Sequence, residues 1–423
     1  MNDVRRAVIA SAVGTAIEWY DFFLYGVVAA LVFPKQFFPA EGPYTGVLLS
    51  FSVYFVGFAA RPIGAAIFGP LGDRIGRKAS LIATLVMMGC STVAIGFIPG
   101  YARIGLGGAV LLTLARVLQG IAVGGEWGGS VLLASEWSQQ GRRGFAASWP
   151  QWGAPAGLVL ANGAVALTTA AVGDTAFASW GWRVPFLASA VLVGIGMWIR
   201  TGVHEPPAFS RMRAADQVER APVRQVLRTH RREVILTALL RTGQQAPFYV
   251  FTTWFLTYTT GALHYPRDEM VAAGLVAATL SMIAIPVWGH LSDRFGRRRI
   301  IGIGCILMLG MPFVYFHLLD AGSSIAFVAI VVALPLHDLQ YGPQAAVIAE
   351  SFPARVRYSG ASLGYQLASL TAGGPAPLIA TWLMHTYGSS RSVAIYMALC
   401  AAVSLVALQL LPDHQSRDFE QLD

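Results

Sequence analysis

Charge is what this sequence has least of. Only 12% of its 423 residues are Asp, Glu, Lys or Arg, against 55% hydrophobic; an ordinary soluble domain carries about 25% charged residues. So little charge cannot cover a soluble surface, and a mean hydropathy of +0.57 excludes intrinsic disorder as well. Cysteine is scarce too. Cys90, Cys305 and Cys400 are odd in number, lie in apolar runs and lack metal-ligand spacing, which excludes a disulfide-stapled secreted fold and a cysteine-held metal. They read as small packing residues. No HExxH, Walker loop or dinucleotide fingerprint is present. A cleaved leader is not expected either: the first apolar run is too long, contains Glu18 and Asp21, and has no small-residue cleavage site.

What is abundant is apolar sequence in lengths of about 20 residues, enough to cross the hydrocarbon layer. Such segments begin near Ala7, Tyr44, Ala79, Leu106, Phe145, Val184, Val234, Glu269, Ile300, Ser324, Ser359 and Ser392, giving twelve. Gly 45 and Trp 11 suit membrane helices that pack closely. The chain is therefore expected to be an all-α polytopic membrane protein. Its net charge of +8 is distributed by side. With the N-terminus inside, the inner loops hold Arg5, Arg6, Arg74, Arg77, Lys78, Arg142, Arg143, eight arginines in 200–232, four in 290–299, Arg355, Arg357 and Arg417. Outside remain Lys35, Arg103, Arg183, Arg267 and Arg391. That asymmetry places both termini in the cytoplasm. The basic balance reports topology, not a nucleic-acid partner.

The only extended polar stretch, 200–232, separates six segments from six, giving a first bundle 1–199, a central loop and a second bundle 233–423. Internal similarity supports the cut. Gly69-Pro-Leu-Gly-Asp73-Arg74-Ile-Gly76-Arg77-Lys78 returns as Gly289-His-Leu-Ser-Asp293-Arg294-Phe-Gly296-Arg297-Arg298. Glu136, Arg143 and Ser148 return with the same spacing as Glu350, Arg357 and Ser362. Duplicated six-helix halves are an architecture of alternating-access transporters.

The paired G-x-L-x-D-R-x-G-R-[KR] loops resemble the signature of the major facilitator superfamily. Within it, Gly14-Thr-Ala-Ile-Glu18-Trp-Tyr-Asp21-Phe-Phe-Leu-Tyr25-Gly26 is similar to the first helix of the metabolite:proton symporter family. So are Arg116-Val-Leu-Gln119-Gly120-x-x-x-Gly124-Gly125-Glu126-Trp127-Gly128-Gly129 and Tyr358-Ser-Gly-Ala-Ser-Leu-Gly-Tyr365-Gln366. The resemblance runs from about Ala7 to the end of the twelfth helix. It implies the twelve-helix major facilitator fold in a bacterial inner membrane, working as a monomer among lipids. It also implies proton-coupled uptake of a small polar metabolite, with the proton gradient in place of any cofactor. Members similar to this chain carry shikimate, 2-oxoglutarate, citrate or betaine-like solutes. A proton-coupled drug exporter and an osmolyte or zwitterion symporter are the alternatives. Osmosensing members often end in a long coiled coil, whereas this sequence stops at Asp423, which leans towards an organic acid anion.

Ionisable groups at membrane depth cost at least about 2.5–3.5 kcal/mol each, so each needs a partner or a purpose. The cases are Glu18 and Asp21, Arg61, Arg116 and Glu126, Arg241, and Asp338 beside His337. Glu18 and Asp21 share a helical face. Arg116, Gln119, Val123, Glu126 and Ser130 form one stripe. Asp21 and Arg116 sit at depths that allow a pair between the first and fourth helices. In similar superfamily members such a carboxylate takes the coupling proton; the bland alternative is a static pair that fixes helix register. Glu18 is a relay or a structural hydrogen-bond partner, Glu126 and Asp338 are further coupling candidates, and Arg61, low in the second helix, reads as structural. The Gly120/Gly124/Gly128 ladder is packing, and Gly153-Ala-Pro155-Ala-Gly157 discriminates weakly between symporters and exporters.

At the cytoplasmic loops the resemblance implies a latch. Asp73 is expected to join the second helix to the eleventh, with Arg355 or Arg357 nearby. Arg74, Arg77, Glu136 and Arg143, with their repeats Asp293, Arg294, Arg297, Glu350 and Arg357, complete the gating set. Candidate substrate contacts are the cations Arg116 and Arg241, whose forked geometry suits a carboxylate, with Tyr25, Gln119, Gln151 and Trp152 from the first half. Gln244, Gln245, Tyr249, Tyr341, Tyr365 and Gln366 are those of the second. Gly360-Ala-Ser362-Leu-Gly364 matches G-x-S-x-G, but that pattern marks a hydrolase only on a strand–turn–helix elbow. No catalytic residue is expected and the chain does not read as an enzyme.

Overall fold

The computed structural model describes residues 3–39, 43–139, 141–202, 204–205 and 221–415. Of the inner cations counted above, Arg211, Arg213, Arg220 and Arg417 lie outside the described residues. The long helices, numbered in chain order, start with α1 (Asp3–Leu31), then α2 in two pieces (Pro43–Ala59 and Arg61–Arg74), α3 (Arg77–Phe97) and α4 (Gly107–Glu136). α5 (Arg143–Val172) and α6 (Arg183–Thr201) follow. α7 begins as Arg231–Tyr249 and continues through π-helical turns to Ala262. α8 (Arg267–Phe295), α9 (Arg297–Leu319) and α10 (Ser323–Glu350) precede α11, which runs from Arg357 to Tyr387 with a π-turn at Ser369–Gly373, and α12 (Ser390–Leu410).

Among the described residues 11 helices are long and apolar enough to cross a membrane. The twelfth expected span, the one near Val234, is α7. It is helical at the expected place but falls short in hydropathy, because Arg241, Thr242, Gln244 and Gln245 interrupt its apolar residues. Three short segments, two of them π-helical, continue it past Pro247. Large apolar side chains such as Phe97, Leu114, Leu167, Trp198, Val328 and Leu399 are exposed. On a soluble protein such a surface would be a liability; around a bundle of spanning helices it is the face presented to lipid.

Close approach between helices comes from small residues. A Cβ on Gly120 would meet the Gly57 carbonyl, and one on Gly124 would meet the Arg61 carbonyl, so α4 can lie against α2 only with glycine at both. α1 packs on α5, α8 on α10, and α7 on α12. Across the two repeats α5 meets α8 and α2 meets α11. Those two crossings position everything that follows. Cys305 and Cys400 are buried as expected of packing residues, whereas Cys90 is exposed.

Candidate functional site

The repeated loops build two matching latches. Asp73, fully buried at the end of α2, accepts hydrogen bonds from the backbone N–H groups of Tyr358 (3.2 Å) and Ser359 (3.0 Å) and from the Ser359 hydroxyl (2.7 Å). Asp293, at the end of α8, accepts from the N–H groups of Gly144 and Phe145, both at 2.8 Å. Each aspartate thus caps the first turn of a helix in the other repeat, where unsatisfied amides and the helix dipole favour an anion. Charged side chains repeat the exchange. Arg77 contacts Asp73 (3.6 Å) and Glu136 (3.4 Å), and Arg357 reaches Glu136 from across (3.8 Å). Arg297 bonds Asp293 (3.1 Å) and Glu350, and Arg143 reaches Glu350 from across (3.5 Å). Arg74 and Arg294 do not join: both are exposed, because each points away from the turn that its aspartate and following arginine occupy. Glu205, beyond α6, caps α3 through the N–H groups of Arg77 and Lys78, both at 3.0 Å. Burial pushes its carboxyl above the usual value, against the pull of those two amides.

Above the latches lies an interior rich in arginine. Arg116 bonds the Gln119 side chain (2.9 Å) and is enclosed by the rings of Phe22, Tyr25 and Tyr54, with its Nε and one Nη unpartnered. Gly57 leaves the room its guanidinium needs. Arg61 is 1% exposed, Phe22 and Phe58 lie 4.4 Å from it, and its polar neighbour is the Tyr249 hydroxyl. Arg241 lies over the Tyr365 ring with two nitrogens free. None of the three has a carboxylate partner among the described residues. Tyr249 stands between Arg61 and Arg241 with its hydroxyl turned to Arg61, the Tyr365 hydroxyl is shared with Arg241 and Tyr341, and that of Tyr25 is buried without a partner. Three cations at membrane depth are thus left with neutral neighbours, and their charge has no counterpart bonded to it among the described residues.

Two expectations need correction here. Asp21 does not pair with Arg116. Its carboxylate accepts from the Ser189 hydroxyl on α6 (2.6 Å), whereas the α1 residues bounding Arg116 are Phe22 and Tyr25; one residue along a helix is a turn of about 100°. Arg61 is not low and structural: it starts the second piece of α2, beside Pro62 and midway along the helix. Sequence reasoning also missed Arg200 by counting it with the loop. It lies inside α6, 2% exposed, bonding Glu126 (3.0 Å) and Glu18 (3.5 Å). The signal was present in Ser189, Gly196 and Arg200, which recur on one face of α6 and are all buried.

The other candidates divide. Gln119, bonded to Arg116, also donates to Thr92 (2.8 Å). Gln151 accepts from the Trp127 indole (2.7 Å) and Gln366 donates to the Val123 carbonyl (3.2 Å), so both tie helices together. Gln244 and Gln245 touch His337 and Ser369 and keep a free carbonyl oxygen each, and Tyr341 neighbours Arg241. Trp152 is only half-buried and packs on Trp149, outside the cluster. Asp338 accepts from Ser281 (2.5 Å) beside His337, away from the arginines. Ser362 of the G-x-S-x-G match sits within a helix, without the elbow a nucleophile needs.

On the outer side a cavity of about 170 Å³ opens between α1, α2, α5, α7 and α8, lined by Phe23, Tyr54, Asn162, Thr253 and Arg267 among others. Tyr54 belongs both to this cavity and to the cage of Arg116. The site is therefore latched on the cytoplasmic side and screened by aromatic rings from an outer vestibule.

Comparisons with known proteins bear on the family and the fold. The family model described as Major Facilitator Superfamily matches residues 11–375. An inner membrane metabolite transport protein of Escherichia coli (YhjE) is 41% identical, over 98% of this chain and 96% of that protein. The shikimate transporter of the same organism is 40% identical over 98% and 96%, and a proline/betaine transporter of Salmonella typhimurium 32% over 95% and 82%. A solved proton:xylose symporter bound to a bromo-deoxyglucose shares the fold, with TM-score 0.82 at 16% identity over 99% of this chain and 98% of that one. Against the inward-open form of the xylose transporter from E. coli the TM-score is 0.67, at 18% identity over 99% of each chain.

Proposed function

The chain belongs to the major facilitator superfamily, and from that premise we propose that it is a proton-coupled symporter that imports a small organic anion by alternating access. It is a multi-pass inner-membrane transporter, not an enzyme. The moving bodies are the two six-helix bundles, α1 to α6 with Arg200 inside the first, and α7 to α12. The observation that carries the anion is the trio Arg61, Arg116 and Arg241, buried without carboxylates. A guanidinium accepts a carboxylate through two parallel bonds, and binding one here would satisfy groups now unsatisfied. Tyr249 and Tyr365 would hold the remaining polar atoms of the solute. Arg116 and Arg61 belong to the first bundle and Arg241 to the second, so one anion can draw the bundles together. Outward opening would release the screen at Tyr54. Inward opening requires Asp73 and Asp293 to leave the helix ends they cap, and Glu136, Glu350 and their arginines to exchange partners.

A zwitterion is the second reading, favoured by the 32% identity to a proline/betaine transporter. Against it, the Phe22 and Phe58 rings that could face a quaternary ammonium are already taken by Arg61. Uptake into proteoliposomes with an acidic exterior separates the readings. The expected result is gradient-driven accumulation of labelled shikimate or another small carboxylate. Accumulation of betaine but no anion would establish the zwitterion, and gradient-driven expulsion would establish an exporter.

A further inference from the structure

Beneath the arginine cluster, α1, α4 and α6 enclose a group that the account of anion binding leaves unused. Glu18 and Glu126 face each other and share one cation, Arg200. Glu126 Oε1 accepts from Arg200, from the Thr15 hydroxyl (3.0 Å) and from Ser130. Glu18 Oε2 has no partner. Both carboxyls are 2% exposed. Gly14 makes the arrangement possible, since a Cβ there would collide with the Arg200 guanidinium.

Two carboxylates and one guanidinium leave one negative charge unbalanced inside the bundle, a state that burial opposes. Other charged or titratable groups facing the pair are few. Asp21, on α1, adds a like charge. Tyr358, on α11, faces Glu126 but donates its hydroxyl to the Gly125 carbonyl (2.6 Å). Arg61, on α2, lines the same small cavity as Glu18 and Glu126, and Tyr365 closes it. Among the described residues, Arg61 is therefore the nearby cation that is not already committed to a carboxylate.

We propose that Glu18 and Glu126 share the coupling proton, and that Arg61 links it to the transported anion. With both carboxylates ionised, Arg61 is the counter-charge of the pair. A proton from the outer aqueous side, taken on a carboxylate oxygen, leaves the pair neutralised by Arg200 alone and frees Arg61 for the solute's carboxylate. When the solute leaves to the cytoplasm, Arg61 again faces the pair and the proton departs by the same side. Anion and proton thus raise each other's affinity, as linkage requires. This rests on the reading of the chain as a proton symporter of an anion, but its test does not need a substrate.

The experiment is an infrared pH titration of the full chain in lipid, following the carbonyl stretch of protonated carboxylic acids. The wild-type protein is expected to show a band that vanishes in Glu18→Gln and in Glu126→Gln alike, because the surviving carboxylate then pairs one-to-one with Arg200 and stays ionised. Glu126→Asp should keep a band at a displaced frequency. Asp21→Asn and Asp338→Asn should remove at most their own bands. Arg61→Gln should move the midpoint to higher pH, since the pair loses its alternative counter-charge. A band indifferent to both Gln variants overturns the proposal. So does an Arg61→Gln midpoint that stays or falls, a readout that remains decisive if a Gln variant at either glutamate does not fold. Failure of the symport reading appears separately, as absent gradient-driven uptake by a protein whose band behaves as described.

Discussion

At the cytoplasmic rim the two repeats carry the same device; in the membrane interior they do not. Asp73 and Asp293 each cap a helix of the opposite repeat, and Glu136 and Glu350 each bind one arginine from their own side and one from across. Inside, among the described residues, the first repeat holds Glu18, Asp21, Arg61, Arg116, Glu126 and Arg200, and the second Arg241, His337 and Asp338. A gate must close symmetrically, because both bundles meet at the same rim. Chemistry has no such requirement, and one proton site suffices.

The sharpest way to probe the interior is to compare its paired arginine with its unpaired ones. Arg200→Ala should destabilise the protein by about 3–5 kcal/mol, because it abandons two buried carboxylates. Arg61→Ala and Arg241→Ala should lower the melting temperature far less, since neither is bonded to a carboxylate and the Glu18–Glu126 pair keeps Arg200. Both should weaken anion binding roughly 10- to 100-fold, from about 1.5–3 kcal/mol for a charged hydrogen bond. Thermal unfolding with and without shikimate measures both quantities. If all three behave alike, the division between structural and solute-binding arginines fails.

The rim offers a finer comparison. From the helix end it caps, Asp73 takes three donors and Asp293 two, because Ser359 adds a hydroxyl where the repeat has Phe145; Arg297 bonds Asp293 from within its own repeat. Asp73→Asn and Asp293→Asn should both shift the resting protein towards inward-open, Asp73→Asn by more, with each helix-end contact contributing about 0.3–1 kcal/mol. Labelling of a cysteine introduced at the cytoplasmic mouth reads the shift. Equal labelling in wild type and both variants would remove the latch from the account. The smallest effect is expected at Asp21. Its hydroxyl partner Ser189 can also serve an amide, so Asp21→Asn should still accumulate solute against a gradient; loss of accumulation would return the proton to Asp21.

The sequence made the rim easy to read because both of its copies are written in charged residues at fixed spacing. The interior was harder. Arg116, Arg241, Glu18 and Glu126 stood out as charges in apolar runs, and their burial follows. Which of them pair depends on helix rotation, and that cannot be taken from depth alone: Asp21 and Arg116 share a level but not a face. Arg200 sits where a span gives way to a basic loop, so composition assigned it to the loop. Arg61 looked ordinary beside Pro62 because nothing local reveals that its neighbours in space are rings. The span near Val234 was legible all the same, although Arg241, Gln244 and Gln245, which lower its hydropathy, are among the residues of the site.

Proton movement during transport tests the central claim most directly. In weakly buffered proteoliposomes without an imposed gradient, adding shikimate or another accepted anion outside should drive its uptake and make the outside more alkaline as protons follow. Glu126→Gln should still exchange labelled for unlabelled anion but show no alkalinisation. Anion uptake without proton movement in the wild type, or alkalinisation that persists in Glu126→Gln, would contradict the account.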